Sequence, residues 1–204
     1  MDNANISDNA LMVSLQRGDT KALCQLIERW QDRLLSFTYR YVQSESIARD
    51  LVEETFIRLY QSNHHFDPKR SFSSWLFGIA ANLCRNQMRW WARRPEYPSE
   101  NLPEIVETTT PADVMNRQES DAALAGAVRQ LPHDLRVTLI LYYFEDLSYH
   151  QIAEVVGCSV RGVESRLYRA RKSLLRKLQL ESALLQQDSA SRWSSSGCLA
   201  SRVR

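Results

Sequence analysis

The residues of this chain best suited to chemistry are the cations between positions 161 and 177, where seven arginines and lysines stand against one acid. Guanidinium and ammonium groups donate hydrogen bonds to phosphates and to the acceptor edges of bases in the major groove. Apolar residues at spacings of four, three and four predict a helix with one stripe that packs on a scaffold. A solvated basic helix in a bundle is the alternative that this composition leaves open. The apolar residues are Val163, Leu167, Ala170 and Leu174, the cations are Arg161, Arg166, Arg169, Arg171, Lys172, Arg176 and Lys177, and the acid is Glu164.

The stretch before these cations carries the signals of a short helix that ends in a tight turn. Ser148 can cap free backbone N–H groups while Gln151 reaches back to it, which is the capping-box pattern. Gly157 suits a left-handed C-terminal cap, and Ser159 is the expected N-cap of the next helix. Two helices joined by a turn of about four residues predict a helix-turn-helix, whose second helix enters the major groove of DNA.

The first half of the chain, from about residue 7 to residue 94, shows helical periodicity almost throughout. Its apolar residues step by three and four, so successive segments predict amphipathic helices. Pro68 and its polar neighbours interrupt the pattern and predict a connection. The last of these helices ends in arginines, amides and the adjacent Trp90 and Trp91, which suits single-stranded nucleic acid because cations follow the backbone and rings stack on bases. Either tryptophan could equally close the core of the domain.

A polar, acidic segment separates the two halves and predicts a linker. Between residues 95 and 123 the chain has seven acids and one base, and its prolines and consecutive threonines oppose a packed helix. The expected fold is therefore all-α, with two small helical domains joined by an extended acidic linker and the helix-turn-helix in the second domain. The expected boundaries are 1–94, 95–112 and 113–180, followed by a disordered serine-rich tail at 181–204.

Length and composition exclude several classes of protein. The 204 residues carry a net charge of +2 and 44% hydrophobic side chains, which suffices for modest cores. No apolar run approaches the roughly 18 residues that span a bilayer, and the N-terminus lacks a basic and apolar leader, so a cytoplasmic protein is expected. The four cysteines form no CxxC pair, which favours buried thiols over a metal site. No cofactor is expected.

Four segments occur in an order that resembles a known family. Two of them, residues 50–60 and 72–83, lie in the first half, and two, residues 131–132 and 163–171, lie in the second, with the linker between. On these motifs the chain is similar, over about residues 10–180, to the extracytoplasmic-function (ECF) group of bacterial sigma-70 factors.

This resemblance implies a dissociable subunit of RNA polymerase. The first domain would dock on the core enzyme and help melt the promoter −10 element, and the second would read the −35 element. The acidic linker would thread through the polymerase toward the RNA exit path. Relatives are commonly held inactive by an anti-sigma factor, which makes one a candidate partner besides core polymerase and promoter DNA. A small-molecule substrate, a catalytic activity and direct insertion into a membrane are not expected.

The resemblance also assigns candidate residues to each of these steps. The −35 candidates are Arg161, Glu164, Ser165, Arg166, Arg169, Arg171 and Lys172. The −10 candidates, which would capture a flipped base and line the strand, are His64, Asp67, Lys69, Arg70, Ser71, Trp75, Asn82, Arg85, Asn86 and Arg89. The candidates for docking on core polymerase are Asp50, Glu53, Glu54 and Arg58, on a helix face that would otherwise be ordinary solvated surface.

Three positions can be compared with the pattern of the family. Many relatives carry Gln where this chain has Glu53 and Asp where it has Asn86, and either replacement keeps a hydrogen-bonding role. Gly162 matches a frequent small residue in the first turn of the second helix, where it would let the helix approach DNA closely.

Two other functions remain open at the level of sequence. A stand-alone helix-turn-helix repressor or activator would use residues 1–95 for ligand sensing or dimerisation, and a dimer would favour palindromic half-sites. An enzyme acting on nucleic acid has little support, since the chain lacks a P-loop and the other common catalytic motifs. The only cluster resembling a catalytic site is His64 and His65 near Asp67, and two histidines in a polar loop are more often surface residues.

Overall fold

The computed structural model describes residues 6–93 and 123–196, with side chains as far as residue 179. Every regular element within these ranges is a helix, which confirms the all-α fold class. The first half contains α1 (Asp8–Gln16), α2 (Thr20–Val42), α3 (Glu45–Gln61), a 3-10 turn (Asn63–His65) and α4 (Phe72–Ala92). The second half contains α5 (123–129), α6 (His133–Tyr143), α7 (Tyr149–Val156) and α8 (Val160–Ser196).

Aromatic side chains at the contact between α2 and α4 organise the core of the first half. The ring of Trp30 on α2 meets Phe72 and Phe77 of α4 edge-on, at centroid distances of 5.5 and 6.0 Å. Edge-to-face pairs add roughly 0.5–1.5 kcal/mol beyond the burial of their area. Because Phe72 is the first residue of α4, this packing also fixes where the loop between α3 and α4 ends.

The sequence signals of the helix-turn-helix are confirmed. Ser148 Oγ accepts a hydrogen bond from the Gln151 backbone N–H at 3.3 Å, and Gln151 Oε1 accepts one from the Ser148 backbone N–H at 3.0 Å. Gly157 ends α7 in the left-handed conformation, with φ of 62°. Ser159 Oγ caps α8 by accepting from the Gly162 backbone N–H at 3.2 Å.

The two helical halves lie against each other. Helix α7 packs on α4 and α6 packs on α2. One continuous apolar core runs from Leu11 of α1 to Leu167 of α8. The guanidinium group of Arg136, on α6, is buried in this contact and donates to the Tyr41 carbonyl oxygen of α2 at 3.1 Å. The halves that the sequence predicts as separate domains therefore share an interface with both polar and apolar contacts. This packing of the first half on the second is called the closed arrangement below.

Helix α8 runs past the expected boundary at residue 180 and continues unbroken to Ser196. Neither glycine nor proline occurs between Gly162 and Gly197, and residues 173–188 are mostly strong helix formers such as leucine, glutamine and arginine. The serines lower helix propensity without breaking the helix. Residues 197–204, like the linker expected at 95–112, lie outside the described residues.

Candidate nucleic-acid interface

The outer face of α8 presents most of the expected −35 residues. Its inner stripe is buried against the rest of the second half, so the polar residues of its first turns face solvent. Tyr168, which is 65% exposed, lies among them and is absent from the residues predicted for −35 recognition. Its position off the apolar stripe is the signal that could have found it. A shallow hollow of about 350 Å³ is lined by Glu164, Ser165, Tyr168 and Arg169. The exposed candidates are Arg161, Glu164, Ser165, Arg169, Arg171 and Lys172.

Two of the −35 candidates bond to groups of the protein itself, Arg166 from a half-buried position and Arg171 from an exposed one. The side chain of Arg166 is only 17% exposed, donates to the Val156 carbonyl oxygen at 3.3 Å and lies 3.5 Å from a carboxylate oxygen of Asp134. Arg171 donates to the Tyr143 hydroxyl at 2.7 Å, and its guanidinium group lies 5.5 Å from the centroid of that ring. In this arrangement both side chains brace α8 on its scaffold.

Gly162 lies in close contact with the turn before α8. A Cβ atom at this position would lie 3.0 Å from Cys158 Sγ and 3.2 Å from Cys158 Cβ, closer than side chains normally pack. Close approach to DNA was the expected reason for the glycine. The structure supplies a different reason, which is the close packing of α8 against Cys158.

A cleft of about 440 Å³ lies beside the loop expected to capture a flipped base. It is bounded by the end of α3, the 3-10 turn and the middle of α4. The rings of His64 and His65 lie 3.9 Å apart between centroids, and Ile79 and Asn82 contribute the α4 wall. An apolar wall beside imidazole and amide groups suits one unstacked base, which needs both stacking and hydrogen bonds.

The remaining −10 candidates continue from this loop along α4. Asn82, Asn86 and Arg89 are exposed at spacings of four and three, which places them on one face of the helix. Trp75 is half-buried, with its ring 5.2 Å from that of Phe66. The exposed loop residues are His64, Asp67, Lys69 and Arg70, and Ser71 is the N-cap of α4. Trp91 packs against the core, which favours the closing role for that tryptophan.

A single carboxylate joins the two expected DNA surfaces. Arg85 of α4 lies 2.8 Å from Asp134 Oδ1, and Arg166 of α8 lies 3.5 Å from Asp134 Oδ2. One of these arginines is a −10 candidate and the other a −35 candidate. Asp134, on α6, therefore holds one arginine of each surface in the closed arrangement.

A partly buried hydrogen bond between the halves depends on a neutral histidine. The Tyr41 hydroxyl lies 2.6 Å from His133 Nδ1. Burial, together with the nearby Arg85 and Arg136, lowers the pKa of His133 to about 4, and burial raises the pKa of Tyr41 to about 12. At neutral pH the tyrosine therefore donates and the uncharged imidazole accepts.

The segment between α6 and α7 is held on the first half by polar contacts. Glu145, whose side chain is 2% exposed, accepts from Arg33 Nε at 3.3 Å, and Arg33 Nη2 donates to the Glu145 carbonyl oxygen at 2.8 Å. Burial raises the pKa of Glu145, and the Arg33 guanidinium opposes that shift. Gln151 Nε2, at the start of α7, lies 3.3 Å from the hydroxyls of Ser71 and Ser73. The helix-turn-helix thus touches the start of α4.

The expected docking residues occupy the exposed side of α3. Between them lie two apolar side chains that the sequence reasoning missed, Ile57 at 50% exposure and Tyr60 at 48%. Position 57 lies four and seven residues after positions 53 and 50, so it shares their face of the helix. This spacing is the sequence signal that could have predicted Ile57 as part of the docking surface. Apolar side chains within a charged rim are typical of protein interfaces. The docking candidates are Asp50 and Glu53, both exposed, and Glu54 and Arg58, which pair at 2.7 Å.

Other chemistry finds little support in the described ranges. The described side chains, in residues 6–93 and 123–179, include no group of three or more His, Cys, Asp or Glu placed to hold a metal ion. No helix in those ranges is both long and apolar enough to span a bilayer. Cys84 is buried and Cys158 half-buried, as expected of structural thiols, but Cys24 is exposed on α2, so the expectation of burial is wrong there.

Comparison with known proteins matches both halves of the chain. Sigma-70 region 2 matches residues 26–94, and sigma-70 region 4 matches residues 121–174. The ECF RNA polymerase sigma-E factor of Haemophilus influenzae is 33% identical over 185 residues, which cover 85% of this chain and 96% of that protein. The RNA polymerase sigma-H factor of Pseudomonas aeruginosa is 33% identical over 181 residues, covering 84% and 94%.

Two solved structures share the fold. The structure of CnrH in complex with the cytosolic domain of CnrY matches with a TM-score of 0.63 and 26% identity, covering 89% of this chain and 98% of that chain. The structure of the sigma factor RpoE in complex with the anti-sigma factor NepR from Bartonella quintana matches with a TM-score of 0.59 and 25% identity, covering 78% and 98%.

Proposed function

This chain belongs to the ECF group of the sigma-70 family, and we propose which of its residues carry each step of promoter-specific initiation. As a member of that family it binds core RNA polymerase and directs initiation at promoters. We assign polymerase docking and −10 melting to residues 1–94, the connection to residues 95–112 and −35 recognition to residues 113–180. The role is non-catalytic and belongs in the cytoplasm, with the polymerase and the chromosome.

The observation that carries the assignment of −35 recognition is the outer face of α8. Its cap, its buried stripe and the turn before it fix the angle of the helix, and Arg161 and Arg169 project from its free side. Arginine reads guanine in the major groove through two parallel hydrogen bonds, and it also binds phosphates. Arg161, Glu164, Ser165, Arg169 and Lys172 form the proposed contact in the closed arrangement, and Arg166 and Arg171 join only after release from their present partners.

For −10 melting we propose that the cleft beside His64 and Asn82 receives one flipped base. Unstacking a base costs a few kcal/mol, so melting requires a site that replaces the lost stacking and hydrogen bonds. The histidine rings and Ile79 supply apolar faces, and the Asn82 amide supplies donors and an acceptor. Asn86 and Arg89 continue the polar line along α4, where the rest of the strand would run.

We propose that the outer face of α3 docks on core polymerase. Asp50, Glu53, Glu54 and Arg58 provide charge around the exposed Ile57. A central apolar contact with a charged rim combines affinity with choice of partner. The RpoE relative is bound to the anti-sigma factor NepR, and we propose that a partner of that kind also binds the outer face of α3. The test is to purify the tagged chain from its source and identify the proteins that copurify with it. If neither core polymerase nor an inhibitory protein copurifies, the result counts against both partners.

Replacing Arg169 by alanine should weaken initiation at a cognate promoter by about 1–3 kcal/mol if the side chain contacts a base. The loss should shrink at a promoter whose −35 element is already altered, since the base contact is then absent in both proteins. Arg176→Ala, an exposed arginine farther along α8, is the matched control. The measurement is the initial rate of transcription by reconstituted holoenzyme. An Arg169→Ala protein as active as the wild type would remove Arg169 from the interface.

Replacing Asp134 by asparagine should increase the affinity of the free protein for a −35 duplex by up to about tenfold. The change keeps the shape of the side chain but releases Arg85 and Arg166, and partly exposed ion pairs are worth roughly 0–1 kcal/mol each. Asp146→Asn, at an exposed position of the same half, controls for the loss of one negative charge. Fluorescence anisotropy of the labelled duplex measures the affinity of each variant for DNA. Equal affinities for the two variants would show that the Asp134 contacts do not restrain DNA binding.

A further inference from the structure

Helix α1 precedes the range matched by sigma-70 region 2, which begins at residue 26. Its apolar residues Leu11, Met12 and Leu15 are buried in the core. Asp8, at its start, accepts from Arg29 and Trp30 of α2. Two amide side chains, Asn9 and Gln16, reach the loop between α3 and α4. They are separated by seven residues, so they lie on the same face of the helix about 10 Å apart along its axis.

Asn9 binds the backbone at the end of the loop between α3 and α4. Its Nδ2 donates to the Pro68 carbonyl oxygen at 2.8 Å and to the Arg70 carbonyl oxygen at 2.9 Å. Its Oδ1 accepts from the Phe72 backbone N–H at 3.2 Å. The two donors and the acceptor of one amide are therefore all used on the last residues of the loop and the first residue of α4.

Gln16 does the same at the start of the loop. Its Nε2 donates to the Asn63 carbonyl oxygen at 2.8 Å and to the Phe66 carbonyl oxygen at 2.9 Å. Within the loop, the Lys69 backbone N–H donates to Asp67 Oδ1 at 2.9 Å, which tightens the turn between the two anchored ends. Four carbonyl groups of the loop are thus tied to α1, while His64, Asp67, Lys69 and Arg70 keep exposed side chains.

We propose that Asn9 and Gln16 are positioning residues for promoter melting, which hold the base-capturing loop in its binding shape before DNA arrives. The inference rests on the proposed role of that loop. Ordering a free loop costs conformational entropy for every residue that is fixed, and a loop already fixed by α1 removes this cost from the melting step. Neither amide touches the DNA strand in this account; they act through the backbone of residues 63–72.

The amide nitrogens are the essential atoms, so the isosteric acids are the sharpest variants. In Asn9→Asp an oxygen would face the carbonyl oxygens of Pro68 and Arg70, and in Gln16→Glu an oxygen would face those of Asn63 and Phe66. Two acceptors in contact repel, so each variant should release its end of the loop while preserving size and shape. Gln31→Glu, at an exposed position of α2, makes the same chemical change away from the loop.

The test uses holoenzyme reconstituted from the full chain and core polymerase, on a promoter mapped from its own transcripts. Permanganate reactivity of unpaired thymines measures the rate of opening, on duplex DNA and on the same promoter with its −10 region already unpaired. Affinity for core polymerase and the thermal unfolding midpoint are measured for each variant. Asn9→Ala and Gln16→Ala serve in place of an acid variant that fails to fold.

The proposal predicts that Asn9→Asp and Gln16→Glu each slow opening of the duplex by roughly 10- to 30-fold, because each variant loses both hydrogen bonds of its amide nitrogen. The unpaired promoter should restore most of the activity, and the affinity for core polymerase should equal that of wild type and of Gln31→Glu. Opening at the wild-type rate, or an equal loss of core affinity, would overturn the positioning role. Arg70→Ala is measured in parallel, because a loop variant that opens the promoter normally would overturn the proposed role of the loop itself.

Discussion

Replacing Arg136 by leucine should lower the free energy of unfolding by about 3–5 kcal/mol. Arg136 as a whole residue is 4% exposed. Its Nη1 donates to the Tyr41 carbonyl oxygen at 3.1 Å, and its Nη2 donates to the Leu131 carbonyl oxygen at 3.1 Å and to the Arg129 carbonyl oxygen. Its guanidinium lies 4.6 Å from the centroid of the Tyr41 ring. Leucine would leave these buried carbonyls without donors, and each such group costs about 1–3 kcal/mol.

Two further variants make this result specific. Arg136→Lys keeps the charge but cannot reproduce the planar fork, so it should lose part of the stability and fall between wild type and Arg136→Leu. Arg49→Leu, which removes an exposed arginine paired with Glu45, should cost less than about 1 kcal/mol. Urea unfolding followed by circular dichroism gives all three values. An Arg136→Leu protein within about 1 kcal/mol of wild type would contradict the anchoring role of this residue.

Reversing two charges on α3, with Asp50→Lys and Glu53→Lys together, should reduce the affinity for core polymerase on the order of 100-fold or more. Both side chains are exposed, so the fold should tolerate the change. Like charges brought together at an interface cost several kcal/mol, and each 1.4 kcal/mol is about tenfold in affinity. The loss of transcription should match the loss of core binding, because this face is proposed to dock and not to read DNA.

The control for this experiment is the same change of charge on another helix. Glu28→Lys with Asp32→Lys adds the same four positive units at exposed positions of α2. The binding of labelled core polymerase to each purified variant is then compared with that of wild type. Equal affinity for the two double variants would mean that the outer face of α3 is ordinary solvated surface, the alternative that its sequence allows.

Local signals predicted the helix-turn-helix well. The capping box at Ser148 and Gln151, the left-handed Gly157 and the cap at Ser159 each depend on neighbours within a few residues, so their chemistry is visible in the sequence. Local signals did not fix the length of α8, which continues to Ser196 with no glycine or proline between Gly162 and Gly197.

The contacts between the halves could not be predicted in this way. Tyr41 and His133 are 92 residues apart, and Arg85 and Asp134 are 49 apart. Nothing in the local pattern distinguishes an arginine that faces DNA from one that pairs with a distant carboxylate. The positions of Arg161 and Arg169 off the apolar stripe of α8 predicted them as surface residues. Only the packing of the helices reveals that Arg166 contacts Asp134 and Val156.

The amides of α1 illustrate the same limit on predicting a site. Asn9 and Gln16 look like ordinary polar residues on a short amphipathic helix. Their partners are backbone carbonyls 47 to 61 residues away, which carry no side-chain signal. The sequence therefore predicted which loop carries His64 and Arg70, while the structure was needed to find what holds it.

The most direct test of the central claim is run-off transcription with purified core RNA polymerase on fragmented genomic DNA from the source of this chain. If the chain is a sigma factor, discrete transcripts should appear only when the protein is added. The DNA upstream of their mapped 5′ ends should contain two common elements at constant spacing. A protein that neither binds core polymerase nor creates new start sites would contradict the account, and a stand-alone helix-turn-helix repressor or activator would then be the better description.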